Sequence, residues 1–260
     1  MIITNTRPAE SGHWYTINGE PMYEIVGANG SKRPTTLRDA RKLNLVPSVT
    51  GIIKCAAAPG LENWKQEQML MAALTLPRNP DETEAQWLDR VRQDSRETAR
   101  KAAERGTAIH AALESYYGGV SPSEEFTAHV RGTIKEVDRV TGQTGWIAEK
   151  SFCHFLGYGG KNDLHNSEWC LDFKTKEFKE DDDLRTWDEH AMQLAACREG
   201  LLIPKAKCGI VYVSVTVPGL ARLLVIEEEK IKQAWVMFQA LLTFWQVKNN
   251  YRPVIEKVVA

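Results

Sequence analysis

The spacing of apolar and polar positions divides the chain into helical and extended segments. Short β-prone runs around Asn18-Gly19 predict an opening β-hairpin over residues 13–26, because this dipeptide tolerates the positive φ angles of a tight turn. Apolar residues at helical spacing predict helices near Val49, after Ser121-Pro122, and over 61–76, 81–117, 184–202 and 227–250. Short runs bounded by glycines and by Asn166-Ser167 predict strands over 146–155, 157–165, 169–174, 208–217 and 220–226.

The order of these elements indicates the fold class. Helices stand before, between and after a compact set of strands, which predicts an α/β or α+β domain with a central mixed sheet flanked by helices. The sequence has no internal repeat and no low-complexity linker, so residues 1–260 are predicted to form a single domain. Within it, residues 1–45 are expected to form an N-terminal hairpin appendage and residues 46–260 the core.

The charge balance excludes a protein that attracts polyanions through its overall field. The chain has 33 Lys plus Arg and 34 Asp plus Glu, for a formal net charge of −1. Any site for nucleic acid must therefore be a local patch. The N-terminus lacks the apolar run of a signal peptide, and no stretch has the roughly 18 apolar residues of a membrane span. We therefore expect a cytoplasmic protein that binds no membrane.

The segment from residue 157 to residue 176 carries the clearest chemistry. Alternate side chains of a strand share a face, so Asp172 and Lys174 are predicted to point the same way. If Asn166-Ser167 is the turn, Asp163 lies on the neighbouring strand and approaches Asp172 across the hairpin. Two close carboxylates repel each other, and a hard cation such as Mg²⁺ relieves that repulsion while accepting phosphate oxygens. Beside a lysine, this arrangement fits phosphodiester hydrolysis.

Each of these signals also has a structural explanation. D-x-K on a strand is commonly a solvated ion pair, although the glycines at 157, 159 and 160 favour close approach of a ligand. His110 and Glu114 stand four residues apart and therefore share one face of a predicted helix. A histidine on an apolar helical face is more often a core residue than a ligand, and HxxxE is not the HExxH motif of zinc proteases.

Two further groups could contact phosphates. Basic residues, among them Arg105, lie on the long helix that leads into His110, but they alternate with acidic residues as on a solvated helix. Ser48 and Thr50 stand at a predicted helix start and offer hydroxyls and backbone N–H groups to a phosphate. Helix capping alone explains Ser48 equally well.

Taken in order, the motifs of this chain resemble those of one nuclease superfamily. Four motifs occur in this chain in the order seen in the RecB-like branch of the PD-(D/E)XK nucleases. They are Gly-Thr-Ala-Ile-His110, Gly-Gly-Lys-Asn-Asp163, Asp172-Phe-Lys174-Thr and Gln193-Leu194. Within that branch the chain resembles the mitochondrial genome maintenance exonuclease and related phage exonucleases. This likeness extends to Val46-Pro-Ser-Val-Thr50 and Ala148-Glu149, so that the motifs span about residue 46 to residue 200.

The resemblance implies a restriction-endonuclease-like core with a helical arch and a site for Mg²⁺ or Mn²⁺. His110, Asp163, Asp172 and the backbone carbonyl of Phe173 would bind the metal, and Lys174 would be the catalytic lysine. Glu114 and Glu149 would support these ligands without binding the metal. The residues expected to contact DNA are Ser48, Thr50, Arg105, Lys176 and Gln193, and Gln193 would sit near the metal site or the DNA backbone. Cys197 occupies a position at which the family has tyrosine.

The function implied by the resemblance is a metal-dependent DNA exonuclease that acts at DNA ends in phage-type recombination, replication or repair. A single-strand annealing protein is an expected partner, and the oligomeric state stays open. Two alternatives are an inactive nuclease fold that binds DNA or assembles with partners, and an endonuclease component of a larger complex. Some relatives hold an iron–sulfur cluster with clustered cysteines. The five cysteines here form no such cluster and no CxxC pair, so we expect no iron–sulfur cluster.

Overall fold

The computed structural model describes residues 12–28, 30–57 and 59–255. Its N-terminal elements are β1 (Trp14–Tyr15), β2 (Glu24–Val26), β3 (Lys32–Pro34), α1 (Leu37–Leu43) and β4 (Val46–Pro47). The first eleven residues of the predicted appendage lie outside the described residues.

The segments that flank Asn18-Gly19 pair across this turn as predicted, through an antiparallel bridge between Tyr15 and Pro21 and a hydrogen bond from the Met22 N–H to the Trp14 carbonyl at 2.8 Å. A second antiparallel pair, β2 with β3, follows directly. Gly19 has a φ of +85° and does close a tight turn, in which the Thr16 N–H donates to the Glu20 carbonyl at 2.8 Å. Strand β1 also pairs, on its other edge, with β4. Trp14 is buried and meets Trp245 edge to face at 5.9 Å between ring centroids, so this segment is packed against the core.

The middle of the chain is helical. Its elements are α2 (Val49–Ile53), α3 (Pro59–Thr75), α4 (Glu84–Tyr117) and α5 (Thr127–Thr141). Helix α4 begins at a capping box in which the side chains of Thr83 and Gln86 accept each other's backbone N–H groups. At the α3–α4 connection, the Trp87 indole N–H donates to the Leu76 carbonyl at 2.7 Å. Helix α3 and the first half of α4 pack against each other as a helical hairpin.

The second half of the chain forms a mixed sheet. Its strands are β5 (Ile147–His154), β6 (Tyr158–His165), β7 (Trp169–Lys176), β8 (Lys207–Ser214) and β9 (Ala221–Ile226), joined in that order. β7 and β8 are parallel, and the other neighbouring pairs are antiparallel. Parallel neighbours need a crossover connection, which α6 (Asp188–Gly200) provides, and α7 (Glu228–Lys248) follows the last strand.

Both faces of the sheet are covered, and the side chains of β7 divide between them. Leu171 and Phe173 belong to the apolar cluster formed with α4 and α5. Cys170 belongs to the second cluster, on the face covered by α2, α6 and α7. Because alternate residues share a face, Asp172 and Lys174 lie on the side of α6.

The predicted fold class, a central mixed sheet flanked by helices, is confirmed. The three meander strands lie within two residues of their predicted bounds. Helix α1 and strand β3 were missed, because the segment 31–42 is too polar to show an apolar period and α1 depends on a capping box between Thr36 and Asp39. Of the helices in the described part of the chain, none is long and apolar enough to cross a bilayer.

Candidate active site

The candidate site lies where β6 and β7 cease to pair through their backbones. The backbones of the two strands pair at His165 with Cys170 and at Leu164 with Leu171. Beyond Leu164 and Leu171, side chains of β6 form the hydrogen bonds to the backbone of β7. Asn162 Nδ2 donates to the Leu171 carbonyl at 3.1 Å, and the Phe173 N–H donates to Asp163 Oδ2 at 2.7 Å. The two strands are therefore joined by polar side chains at the level of the predicted catalytic acids.

Asp163 and Asp172 occupy opposite positions in this register. Both carboxylates are largely withdrawn from solvent, with 15% of the Asp163 side-chain surface and 3% of the Asp172 side-chain surface exposed. Burial, followed by the negative charge of Asp172, raises the pKa of Asp163 to about 7, although Lys174, the Phe173 N–H and Lys161 act in the opposite direction. Near neutral pH, such a pair of acids retains a proton or is neutralised by a cation.

Lys174 is held between the carboxylate and an amide from α6. Its Nζ lies 2.6 Å from Asp172 Oδ2 and donates to Gln193 Oε1 at 3.3 Å. Gln193 Nε2 in turn donates to Asp172 Oδ1 at 2.5 Å. Burial alone would lower the pKa of Lys174, but attraction to Asp172 and then to Asp163 raises it above the ordinary value. The lysine therefore remains a cation beside the carboxylates.

His110 approaches the same point from α4, on the other face of the sheet. Its Nδ1 lies 3.8 Å from Asp163 Oδ2, and its ring meets that of Phe173 edge to face at 6.2 Å. Burial lowers the pKa of His110, while Asp172 and a hydrogen bond to the Phe173 backbone oppose that shift. The imidazole is therefore neutral at neutral pH, which is the form that binds metal ions.

The two glutamates expected to support the ligands lie in different surroundings. Glu149 occupies the position of β5 opposite Asp163, has a φ of +54°, and pairs with the ammonium of Lys161. Glu114 is exposed, one turn beyond His110. Within the described residues no hydrogen bond or ion pair joins the Glu114 side chain to the acids or to Lys174. The structure thus brings Glu149 to the cluster and leaves Glu114 outside it.

Lys161 is a residue of the site that the sequence prediction missed. It lies two positions before Asp163 in β6, so the two side chains share a face. Its positive charge acts to lower the pKa of both Asp163 and His110. The spacing of Lys161 and Asp163 matches that of Asp172 and Lys174, and this repeated alternation is the signal that could have revealed it.

Ser48 and Thr50, expected to contact DNA, stand at the start of α2. The Ser48 hydroxyl accepts the Gly51 N–H at 3.0 Å, and Ser48 is buried beside Gly159 of β6. This hydroxyl is therefore already engaged as a helix cap. Thr50 is exposed, and its hydroxyl lies 3.4 Å from that of Ser48.

The other residues expected to contact DNA lie around the cluster. Arg105 is exposed on α4, in the turn before His110, and Lys176 is exposed at the end of β7. Lys176 shares the face of Lys174, two positions earlier in the strand. Gln193 lies inside the cluster, where its amide bonds to Asp172 and Lys174.

The glycines before Asp163 do not open β6 to a ligand, contrary to the expectation from their density. A Cβ at Gly159 would lie 2.8 Å from Tyr15 Cβ, and one at Gly160 would lie 2.8 Å from Phe152 Cζ. These two glycines therefore permit β1 and a core aromatic ring to pack against β6. Gly157, at a φ of +89°, is required by the turn between β5 and β6.

The donors around Asp163 are of the types that a hard divalent cation accepts. Asp163 and Asp172 supply carboxylate oxygens, the backbone of Phe173 a carbonyl, and His110 a neutral imidazole nitrogen. The repulsion that raises the pKa of Asp163 is also the repulsion that a cation would relieve. In the described ranges, however, no three His, Cys, Asp or Glu side chains already stand at metal-binding spacing. Both oxygens of Asp172 are already in contact with Lys174 and Gln193, so a metal bound by Asp172 would share this carboxylate with them.

Comparison with known proteins gives no family for this chain. No family model matches the sequence, and no curated protein matches it. Among solved structures, the crystal structure of SSO0001 aligns with a TM-score of 0.32 and 13% sequence identity, over 70% of this chain and 86% of that chain. This likeness is too weak to indicate an activity.

Proposed function

We propose that this chain is a metal-dependent DNA nuclease that hydrolyses phosphodiester bonds at DNA ends. The observation that carries the proposal is the meeting of Asp163, Asp172, Lys174 and His110 where β6 and β7 cease to pair. If Asp172 and Lys174 formed only a structural ion pair, neither a second acid nor an imidazole would be required beside them. The motif order that resembles the RecB-like nucleases supports the same reaction.

The proposed reaction assigns a part to each of these groups. Asp163, Asp172, His110 and the Phe173 carbonyl would hold Mg²⁺ or Mn²⁺, which when bound activates water and polarises the phosphoryl group. Lys174 is kept protonated by Asp172 and would neutralise the negative charge that develops on the phosphate oxygens. Its position is fixed before substrate binds, so little reorganisation is needed during the reaction.

Positive charge near the cluster supports DNA as the substrate despite the net charge of −1. Lys176 and Arg105 are exposed and would supply the local positive charge that a phosphate backbone contacts, together with Lys161, whose ammonium also pairs with Glu149. Helix α4 carries both Arg105 and His110, and its first half belongs to the helical hairpin. We place the activity in a bacterial or phage-infected cytoplasm, with a single-strand annealing protein as a partner, because the phage exonucleases that the chain resembles act in that setting.

Two other functions fit the same fold, and one observation separates each from the proposal. An endonuclease would cut a circular DNA, whereas an enzyme that acts at ends would not. An inactive module would bind DNA without cutting it. Two buried, mutually repelling carboxylates are costly to maintain without a function, which favours the enzyme over the inactive module.

The test is a cleavage assay with end-labelled single strands, end-labelled duplexes and a closed circle, in Mg²⁺, Mn²⁺ or EDTA. We expect degradation of the linear DNAs in either metal, and none of the circle or in EDTA. Lys174→Ala and Asp163→Asn should each lower the rate by about 100-fold or more. Lys232→Ala, which removes an exposed lysine on α7, serves as the matched control and should leave the rate unchanged.

The outcomes have distinct meanings. Cleavage that persists in Lys174→Ala would refute the assigned mechanism. Retained DNA binding without cleavage in any metal would favour the inactive module. Cleavage of the circle at the rate of the linear duplex would show that the enzyme is an endonuclease and not an exonuclease.

A further inference from the structure

His190 of α6 lies beside the candidate active site, and the proposed hydrolysis assigns it no part. It precedes Gln193 by three residues, so the two side chains are neighbours on the surface of the helix. The Gln193 amide bonds to both Asp172 and Lys174. The imidazole of His190 is therefore adjacent to the group that holds the lysine.

The sheet brings His190 next to Lys174 from a second direction. Tyr212 of β8 is the register partner of Lys174 in β7, so both side chains lie on the face covered by α6, on strands about 4.8 Å apart. The Tyr212 hydroxyl oxygen lies 3.3 Å from His190 Nδ1, and the two rings meet at 6.2 Å between centroids. His190 thus contacts one direct neighbour of Lys174, Tyr212, and adjoins the other, Gln193.

One nitrogen of this imidazole is engaged and the other is available. His190 Nδ1 accepts the Trp187 N–H at 3.4 Å, while the Tyr212 hydroxyl donates its hydrogen to the Arg185 carbonyl at 2.8 Å. A neutral imidazole that accepts at Nδ1 carries its hydrogen on Nε2. Nε2 has no hydrogen-bond partner among the described residues and is not one of their fully buried polar atoms. The structure therefore presents an N–H donor that solvent reaches.

The charges around His190 agree with this placement. Burial lowers the pKa of His190, and the positive charge of Lys174 lowers it further, although Asp172 and Glu189 act in the opposite direction. Nε2 also carries a hydrogen in the protonated imidazole, so this atom donates in either charge state. The acidic residues of the same turn, Asp188 and Glu189, stand about 200° and about 100° around the helix from His190 and therefore lie on other faces of α6.

We propose that His190 Nε2 donates a hydrogen bond to a phosphate oxygen of the DNA strand, next to the phosphate at Lys174. This assignment rests on the proposed nuclease function, which brings a sugar-phosphate backbone to Lys174. Donors to phosphate oxygens fix the position of a strand without reading its bases. A hydrogen bond to a charged oxygen is also stronger than one between neutral groups. His190 would thus position the strand for cleavage, independently of its base sequence.

The competing explanation is that His190 only caps α6. The cap uses Nδ1, which accepts the Trp187 N–H, whereas the proposed contact uses Nε2. Two variants separate these roles. His190→Asn has an acceptor near the position of Nδ1 and no group at Nε2, and His190→Gln has an amide nitrogen near the position of Nε2. We expect His190→Asn to keep the urea midpoint of the wild type and to bind DNA about tenfold more weakly. His190→Gln should be less stable and keep an affinity within about threefold of the wild type.

The test uses labelled single strands in which one phosphate at a time, among the four nearest each end, is replaced by an uncharged methylphosphonate. Binding to the full chain is measured by fluorescence anisotropy in EDTA, where no cleavage is expected, and initial cleavage rates are measured in Mg²⁺. One substitution should weaken binding and slow cleavage by the wild type about tenfold, and should have no further effect on His190→Asn. Lys232→Ala, an exposed position on α7, is the control and should respond to every substitution as the wild type does.

Two results would overturn the proposal. The first is a His190→Asn protein that binds and cleaves as the wild type does. The second is a His190→Asn protein that is weaker on every strand but as sensitive as the wild type to each substitution, since the effects of His190 and the phosphate would then add and the residue would act only through the fold.

This proposal and the nuclease proposal fail separately. Cleavage that depends on Lys174 but not on His190 would refute the phosphate contact and leave the nuclease. Binding that depends on His190 and on one phosphate, without cleavage in any metal, would leave the contact and refute the nuclease. A chain that neither binds nor cleaves DNA would refute both.

Discussion

Gly106 of α4 and Thr175 of β7 are in direct contact, with no room between them for a side chain. A Cβ at position 106 would lie 2.5 Å from Thr175 Oγ1. His110 follows one turn later and reaches to 3.8 Å from Asp163. The close approach of α4 to β7 at Gly106 therefore sets the position of the imidazole relative to the acids, and this explains a glycine inside a long helix.

Gly106→Ala tests this contact. The added methyl group must displace α4 or Thr175, so we expect a loss of about 1–3 kcal/mol in the free energy of unfolding, although alanine is the better helix former. The cleavage rate should fall as well, because His110 moves with the helix. Urea denaturation and initial rates measure both effects.

The matched control is the double variant Gly106→Ala/Thr175→Ala, which removes the oxygen that the new methyl group meets. Because the two residues touch, their effects should not add, and the double variant should recover most of the stability and activity lost in Gly106→Ala. A Gly106→Ala protein with wild-type stability and rate would show that this contact does not position His110.

Gln193 is predicted to act on the reaction through Asp172 and Lys174 and not through DNA. Gln193→Leu removes both hydrogen bonds of the amide while keeping its approximate size. We expect kcat to fall about tenfold or more with KM for DNA nearly unchanged, and the pH profile of kcat to shift as Lys174 and the acids lose a neutral partner. A rise in KM at constant kcat would instead place Gln193 on the DNA, as the family resemblance implied.

Local periodicity accounts for the part of the site that could be predicted from the sequence. The two-residue period of a strand places Asp172 and Lys174 on one face, and the turn at Asn166-Ser167 brings Asp163 opposite Asp172. The helical period predicts only the face of α4 on which His110 lies. The contact between His110 and Asp163 depends on how α4 packs on the sheet, and only the family resemblance predicted that contact.

The parts that could not be predicted depend on contacts between distant segments. The pairing of β1 with β4 joins residues more than thirty positions apart, so the local turn signal at Asn18-Gly19 predicted only the antiparallel contact of Tyr15 with Pro21 and not this second partner of β1. The glycines at 159 and 160 were interpreted as a ligand approach because Tyr15 and Phe152, which occupy that space, are not adjacent in the sequence. The backbones of β6 and β7 separate where the side chains of Asn162 and Asp163 form hydrogen bonds to the backbone of β7. The periodicity of the sequence does not predict these hydrogen bonds.

Ser48 is predicted to stabilise α2 without contacting DNA. Its hydroxyl accepts the Gly51 N–H, so Ser48→Ala should cost about 1 kcal/mol in the free energy of unfolding. KM for DNA should be unchanged at a temperature well below the melting transition. Thr50→Val, which removes the exposed neighbouring hydroxyl, is the comparison. A Ser48→Ala protein of full stability and raised KM would show that the hydroxyl contacts a phosphate.

His154 should make the free energy of unfolding depend on pH in the acidic range. It is buried beside Phe155, Tyr158 and Trp235, with ring centroids at 4.3, 4.7 and 5.9 Å, and burial lowers its pKa from 6.5 to about 4. The unfolded chain binds a proton as the pH falls through 6.5, and the folded chain does not until about pH 4. Stability from this residue is therefore complete above pH 6.5 and decreases as the pH falls toward 4.

The measurement is the free energy of unfolding in urea from pH 7 to pH 4, for the wild type and for His154→Gln, which can still accept the Leu156 N–H. The variant starts from a lower stability but lacks the titrating group. Its loss between pH 7 and pH 4 should be smaller than that of the wild type by on the order of 2 kcal/mol. Because all other acids and histidines are shared, only the difference between the two curves reports on His154, and parallel curves would show that this side chain takes up its proton equally in both states.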